Sequence, residues 1–549
     1  MLYLLIIWLI LLPICLFIGL FVLNLGHDQA FTPGGDRFIV AIWLGIVLLS
    51  ISNFAIALIL PLSPWVGLLV ALIWLIVAQL STNTWQDFRQ LQRFLTPVIL
   101  VQGLALTIAT AAFSSQQVIW FDSGLYHVGS IYWLAKYGVV TGIGLIHSRF
   151  GFTSSWFGFT APLLPNALGD NIGAVSNGFI FLIFFFWGLI GLNQALSQNG
   201  KIADWFAVIF VCLISFIYLA DNNNGFSVIS FSQDIPIAFL IGIVAWSMLI
   251  VVNSINSQWI PLILASGAFS IKLTAIPLLG LVLLFYVWRT KKIVVAIALT
   301  IILLLPNTLV SLRTSGCPLY PSSVLCLNLP WTVAQETIAA EVNMIGNIDH
   351  IDFEGSEVNP LVKIVQQRYK WLTRSKQMLI TFVSYLISVG LGFYLLLFSK
   401  KTEINWVIFL GLSGTTFIMS LSPLFRFGVG YLMMIPALFT ANYLLNLKFR
   451  LSQPQKYLRL VLVFLIFILI IRGWDNLNNR LLLPAKLPSF PLVKGQVNDV
   501  EYYYPDNFKI QCWQRQLPCA TLPIQRDIQL RNPEKGIKAG FIWKTPPSQ

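Results

Sequence analysis

Two residues able to move a proton, Asp122 and His127, stand five positions apart in "WFDSGLYHVGS" (residues 120–130), amid almost wholly apolar sequence. A carboxylate within reach of a hydroxyl serves as a general base, and an imidazole beside it orients that base or binds the substrate. The plainer reading makes Asp122 the cap of the helix that follows and His127 a bystander one turn later. The next stretch, "YGVVTGIGLIHSRFGFTSSWFGFTAPL" (137–163), is rich in glycine and carries Arg149, whose planar fork suits a phosphate. Four more isolated ions follow: Asp234 in "SFSQDIPIAF", Lys272 in "SIKLTAIP", Arg313 in "SLRTSGC" and Arg426 in "LSPLFRFGVG". An ion at membrane depth costs about 2.5–3.5 kcal/mol on insertion scales, so one that persists has a partner or a task. Together the set reads as a site for a polar or charged ligand, with Asp122 and His127 in the catalytic role and Arg149, Asp234, Lys272, Arg313 and Arg426 binding substrate. Helix capping by Asp234, snorkelling by Lys272 and headgroup contact by Arg426 are the structural alternatives.

The elements that must hold these residues are helices in a bilayer. Of 549 residues, 57% are hydrophobic and 10% charged, where a soluble protein carries about a quarter charged. Runs such as Tyr3 to Leu23 reach the roughly 20 apolar residues that a spanning helix needs. Spans are expected near 3–23, 38–60, 64–80, 96–115, 173–193, 202–220, 234–252, 293–310, 377–398, 405–422, 429–445 and 460–472. The stretch 259–288, with Lys272 near its centre and Pro277 beyond, reads as a broken pair of short helices. The expected class is an all-α integral membrane protein of about 12–14 transmembrane helices, including that pair. Residues 1–472 form the membrane domain, with outer loops 116–172 and 311–376 forming the site, and 473–549 form a small soluble appendage.

Sidedness follows from the basic loops 289–292, 399–401 and 446–459, which share one face under the positive-inside rule. Counting the broken pair as two crossings puts the loop 81–95, with Arg89 and Arg93, on that same inner face. Asp122 and the appendage then fall on the outer face. The basic segment 363–376 opposes this count and reads as an amphipathic helix on the outer leaflet. The net charge of +13 fits inner loops and anionic headgroups; no basic stripe is interleaved with exposed aromatics, so nucleic acid is not expected. Cys317 with Cys326, and Cys512 with Cys519, form two close pairs outside the helices and are expected as disulfides in an oxidising compartment.

The motifs "DSGLYH", "YGVVTGIGLIHSRFGFTSSWF", "IKLTAIP", "SGCPLYPS" and "PLFRFGVGY", with a cysteine-bearing tail, resemble a family of bacterial polytopic membrane proteins similar to GT-C-type glycosyltransferases. The resemblance runs from about residue 118 to the tail. It implies transfer of a sugar from a polyprenyl-phosphate donor to a saccharide or lipid-linked acceptor, on the outer face of a bacterial inner membrane. It makes Asp122 the base, or part of a divalent-metal site. Ser123 and Gly124 stand where many such proteins carry a second aspartate, which puts metal binding in doubt. Trp133, Trp156 and Tyr431 are candidates to stack on a sugar or line a lipid groove. The competing readings are a transporter or flippase of a lipid-linked saccharide, and a non-enzymatic envelope assembly protein.

Overall fold

Hydrocarbon offers no water to a peptide group, so long apolar runs satisfy their backbone as helices. The structure is a computed structural model that describes residues 1–31, 35–94, 96–197, 200–220, 227–346, 376–399, 402–447, 454–498, 500–506, 511–513, 517–521 and 523–545. Its first half contains α1 (Leu2–Leu25), α2 (Gly35–Ile56), α3 (Pro64–Gln79), α4 (Thr82–Phe94), α5 (Pro97–Ser114), α6 (Val128–Tyr137), α7 (Ser155–Thr160), α8 (Val175–Ala195) and α9 (Ile202–Ala220). The second half contains α10 (Asp234–Val251), α11 (Trp259–Ile271), α12 (Ile276–Thr290), α13 (Ile293–Ser315), α14 (Gln335–Gly346), α15 (Lys376–Phe398), α16 (Thr402–Leu421), α17 (Phe425–Asn446) and α18 (Pro454–Asn479). Among the described residues, twelve helices are long and apolar enough to cross a membrane, or up to thirteen with the bent pair α3–α4. This is an all-α integral membrane protein. Its core centres on α10, buried along nearly its whole length, while α15 turns Leu379, Ile380, Val383, Leu386 and Ile387 outward in a lipid-facing stripe.

Hydrogen bonds between distant segments define the two ends of the bundle. At one end Leu62 N–H donates to Leu134 O (2.8 Å), Gly142 N–H to Arg313 O (2.9 Å) and Leu2 N–H to Leu481 O (2.8 Å). At the other, Arg37 meets Asp28 and Asp87, and Ser257 reaches Asp28. The stretch 259–290 is the broken pair. Thirteen-residue α11 rises about 20 Å, at 1.5 Å per residue, to Lys272, which meets Asp234 at the start of α10. α12 then descends until Arg289 bonds Val252 O at the far end. Two crossings place the 289–292 turn opposite Asp122, as the basic-loop count requires.

Three elements depart from expectation. Residues 82–94, read as a loop, form α4, turned 98° from α3. Its apolar face explains this: Trp85 and Phe88 pack on Phe17, and Asp87 binds Arg37, so the helix is held flat across the end of the bundle. α18 continues seven residues beyond 472, to Asn479. α14 was not foreseen at all. The segment 363–375 lies outside the described residues, as do 400–401 and 448–453 in the basic loops.

The appendage contains two small antiparallel hairpins, β1 (Leu492–Val497) with β2 (Val500–Pro505) and β3 (Ile528–Leu530) with β4 (Phe541–Trp543). Cys512–Cys519 and Cys317–Cys326 are disulfides, both at the Asp122 end. The β4 edge docks on the loop 137–145: Phe541 N–H donates to Thr141 O (2.9 Å). Gly142 there has φ +65°, and a Cβ on it would stand 2.2 Å from Phe541 O, so backbone conformation and close approach both select glycine.

Candidate functional site

The chain leaves α5 at Ser115 and enters a single π-helical turn, Ser123–His127, before α6; Val128 N–H closes it on Ser123 O. Such turns are rare and frequently stand at functional positions. Asp122 precedes the turn but makes no capping bond with its side chain. Its carboxylate instead lies between two guanidiniums: Arg426 Nη1 is 2.9 Å from Oδ2, and Arg149 Nη1 is 3.5 Å from Oδ1. Arg426 comes from the first turn of α17, and Arg149 from a 3-10 turn at Ser148–Gly151. Three segments far apart in sequence thus meet on one carboxylate.

The ion group extends on both sides. Arg149 Nε also binds Glu341 Oε2 of α14 (3.2 Å), and Ser148 Oγ donates to Glu341 Oε1 (2.6 Å). Lys272, at the break between α11 and α12, pairs with Asp234 and sits 3.9 Å above the Phe427 ring. It is therefore tied down on both its charge and its face, not snorkelling. Arg426 lies 5.5 Å from the Trp120 ring and 4.8 Å from Phe427, and Arg149 6.0 Å from Tyr126. Three cations and three acids are gathered among aromatic faces, an arrangement in which cation–π contact adds about 0.5–2 kcal/mol per pair. Arg426 keeps 34% of its side chain exposed, against 13% for Asp122, so the guanidinium is the open side of the pair.

His127 is 2% exposed, with Nδ1 3.3 Å from Ser123 Oγ and its ring against Tyr126 and Phe157. Burial lowers its pKa to about 4, outweighing the opposite pull of Asp122 and Asp234. His147 falls further, to about 3, through burial and the neighbouring Arg149. Burial, helped by the two aspartates, holds the Tyr126 phenol well above its ordinary value. Both imidazoles are therefore neutral at physiological pH, and His127 is a hydrogen-bonding group rather than a third pole of charge.

The structure gathers Asp122, His127, Arg149, Asp234, Lys272 and Arg426, and it does not bring Arg313 to them. Arg313 Nε donates to Thr141 Oγ1 (3.1 Å) and Nη1 to Leu58 O (2.7 Å), joining α13 to the 137–145 loop and the end of α2. Trp156 and Tyr431 are wholly buried, with Trp156 Nε1 bound to Asn177 Oδ1 (2.9 Å) and the Tyr431 hydroxyl to Thr274 O (3.3 Å); both pack the bundle. Glu341 was missed by the sequence reading, because an acid in the polar stretch "QETIAAEVNMIG" resembles any solvated helix face. A small cavity of about 40 Å³ lies behind Phe152 and Phe157, walled by Trp133 and Phe150. Its lining is almost wholly apolar and includes no member of the ion group.

A divalent metal does not fit the described residues. No three of His, Cys, Asp and Glu converge among them, and both Asp122 oxygens face cations.

Fold and site together define a multi-spanning membrane protein with a partly open ion group at one end of its bundle. The chain belongs to the family described as a domain of unknown function (DUF8201), whose pattern matches residues 1–433. No curated protein and no solved structure matches it. The matched region holds every member of the ion group and stops short of the appendage.

Proposed function

We propose that this protein is a GT-C-like glycosyltransferase that moves a sugar from a polyprenyl-phosphate donor to a saccharide or lipid-linked acceptor at the outer face of a bacterial inner membrane. The observation that carries the reading is Asp122 held between Arg149 and Arg426, with Lys272 and Asp234 alongside, at the end of the bundle opposite the 289–292 basic turn. In the reaction, the acceptor hydroxyl oxygen forms the bond to the anomeric carbon. The bond from that carbon to the phosphate oxygen breaks, the phosphate leaves with the electron pair, and Asp122 takes the hydroxyl proton. The donor phosphate competes with Asp122 for the guanidiniums. As Arg426 and Arg149 turn to the phosphate they neutralise its growing charge and uncover the carboxylate that acts as base. Neutral His127 donates to or accepts from a sugar hydroxyl without adding charge. Purified protein in nanodiscs, given radiolabelled polyprenyl-phosphate sugar and a saccharide acceptor, turns over if this is right; a well-folded preparation inert toward a panel of such donors refutes it.

A second reading, transport of a lipid-linked saccharide, draws on the helix break at Lys272, since broken helices carry substrate sites in transporters. Counterflow of labelled lipid-linked sugar in sealed vesicles tests it.

A further inference from the structure

The appendage touches the ion group at two points. At the first, Gln511 Nε2 donates to Phe121 O (2.9 Å) and Cys512 N–H donates to Gly124 O (2.8 Å). These two carbonyls bracket Asp122. Trp513, 3% exposed, packs against the same turn: a Cβ on Gly124 would stand 2.2 Å from its ring, so glycine is what lets the indole in. At the second, Thr521 Oγ1 lies 3.2 Å from His147 Nδ1, two residues before Arg149. The Cys512–Cys519 disulfide ties the two points together, with Cα atoms 6.2 Å apart. One contact therefore grips the chain on both sides of Asp122, the other the turn that carries Arg149, and a covalent bond sets the spacing between them. Those turns present the two halves of an ion pair. A π-turn is a rare backbone form found as single turns, and this one has an outside partner in the Cys512 amide.

We propose that the Cys512–Cys519 disulfide is a staple across the site, with Trp513 and Thr521 as positioning residues that hold Asp122 in register with Arg149. The inference concerns the site of the proposed function and relies on that reading only for what the site is used for.

The test reads the site without any reaction. The chain has four histidines, so ring-labelled imidazole resonances of the full-length protein in nanodiscs are assignable with His127→Gln and His147→Gln. His127 is faced by Asp122, Asp234, Lys272 and Arg426, by Ser123 and by the rings of Tyr126 and Phe157; His147 is faced by Arg149, Thr521, Phe150 and the Leu125 backbone. In Trp513→Ala and in the double variant C512S/C519S, both imidazoles are expected to titrate closer to the ordinary 6.5, and the amides of 123–127 to exchange about tenfold faster or more. Trp543→Ala, which loosens the appendage where it bonds Thr332 O, leaves both unchanged. Unchanged imidazoles in folded Trp513→Ala and C512S/C519S overturn the staple. If those variants do not fold, Gly124→Ala with the disulfide intact decides: it shifts His127 if the indole is displaced, and no shift overturns the proposal. A Gly124→Ala effect that persists undiminished in a Trp513→Ala background also overturns it, since the indole is then not the cause. Absence of sugar transfer in the wild type sinks the proposed reaction and leaves these results standing.

Discussion

Among the described residues the bundle carries a buried ion group at each end, and the two are built on opposite principles. At the end away from Asp122, Arg37 spends its donors on Asp87 Oδ2 (Nε, 3.0 Å), Asp28 Oδ2 (Nη1, 2.7 Å) and Asn24 Oδ1 (Nη2, 2.9 Å). Asp28 in turn accepts Ala30 N–H (3.1 Å) and Ser257 Oγ (2.5 Å). The Arg37 side chain is 8% exposed and that of Asp28 not at all. That knot is saturated and closed, and it ties α1, α2, α4 and the loop before α11 into one corner. The Asp122 group is looser. Its guanidiniums rest on aromatic faces, its pairs run to 3.5 Å, and Arg426 remains a third exposed. Saturation holds a fold together; incomplete satisfaction leaves cations free to change partners. The same residue types, arginine and aspartate, serve both ends, and the number of bonds left over separates them.

Substitutions that exchange these roles test the contrast. Asp122→Asn is expected to cut sugar transfer by about 10²–10⁴ while leaving thermal unfolding in nanodiscs nearly unchanged; a variant that keeps full transfer removes the base. Arg37→Met should do the reverse. It strands Asp28 at zero exposure and is expected to cost about 3–5 kcal/mol of stability, seen as early unfolding or failed expression, and an unchanged unfolding midpoint would show that the knot is ornamental. Arg426→Gln and Arg149→Gln remove one charged bond each to a phosphate. Each is expected to weaken binding of polyprenyl phosphate by about ten- to a hundredfold with modest loss of stability, read by calorimetry. Glu341→Gln sharpens the comparison at the edge of the site: Arg149 loses one of its two acids, and binding shifts by about tenfold or less in either direction.

A separate effect is one of pH. His127 and His147 titrate at about 4 and about 3 in the folded chain against 6.5 for an ordinary imidazole. Between these values the unfolded chain binds more protons than the folded one. The neutral, buried imidazoles thus contribute stability that is whole above about pH 6.5 and declines as pH falls toward 4. Unfolding followed from pH 7.5 to 4.5 should show that loss, and it should flatten in His127→Gln/His147→Gln. Phosphate binding should show no His127 step near 6.5.

The membrane class, the spans and the break at 259–290 were legible because apolar length and ion scarcity are local properties, readable in a window of twenty residues. The isolated ions were legible for the same reason: Asp122, Asp234, Lys272 and Arg426 stand out against their neighbours. Arg313 stood out equally, yet it is spent on Thr141 and Leu58. Isolation shows that an ion has a partner, not which partner. Glu341 and the π-turn were not legible. Glu341 sits in a stretch polar enough to hide it, and the turn takes its shape from the Cys512 amide and Trp513, some 390 positions away. α4 was missed because a two-residue break after α3 reads as a loop until Phe17 gives Trp85 and Phe88 a surface.

That separation has a consequence in time. Ribosomes add about 5–20 residues per second, so the 390 residues between Phe121 and Gln511 take roughly 20–80 s to emerge. Throughout that interval the aspartate turn has already been made while the segment that grips it has not. The nascent protein therefore passes through a stage with its long helices already made and the partners of the aspartate turn still missing, so a ribosome stalled late yields a chain that lacks the Cys512 amide and Trp513 at that turn.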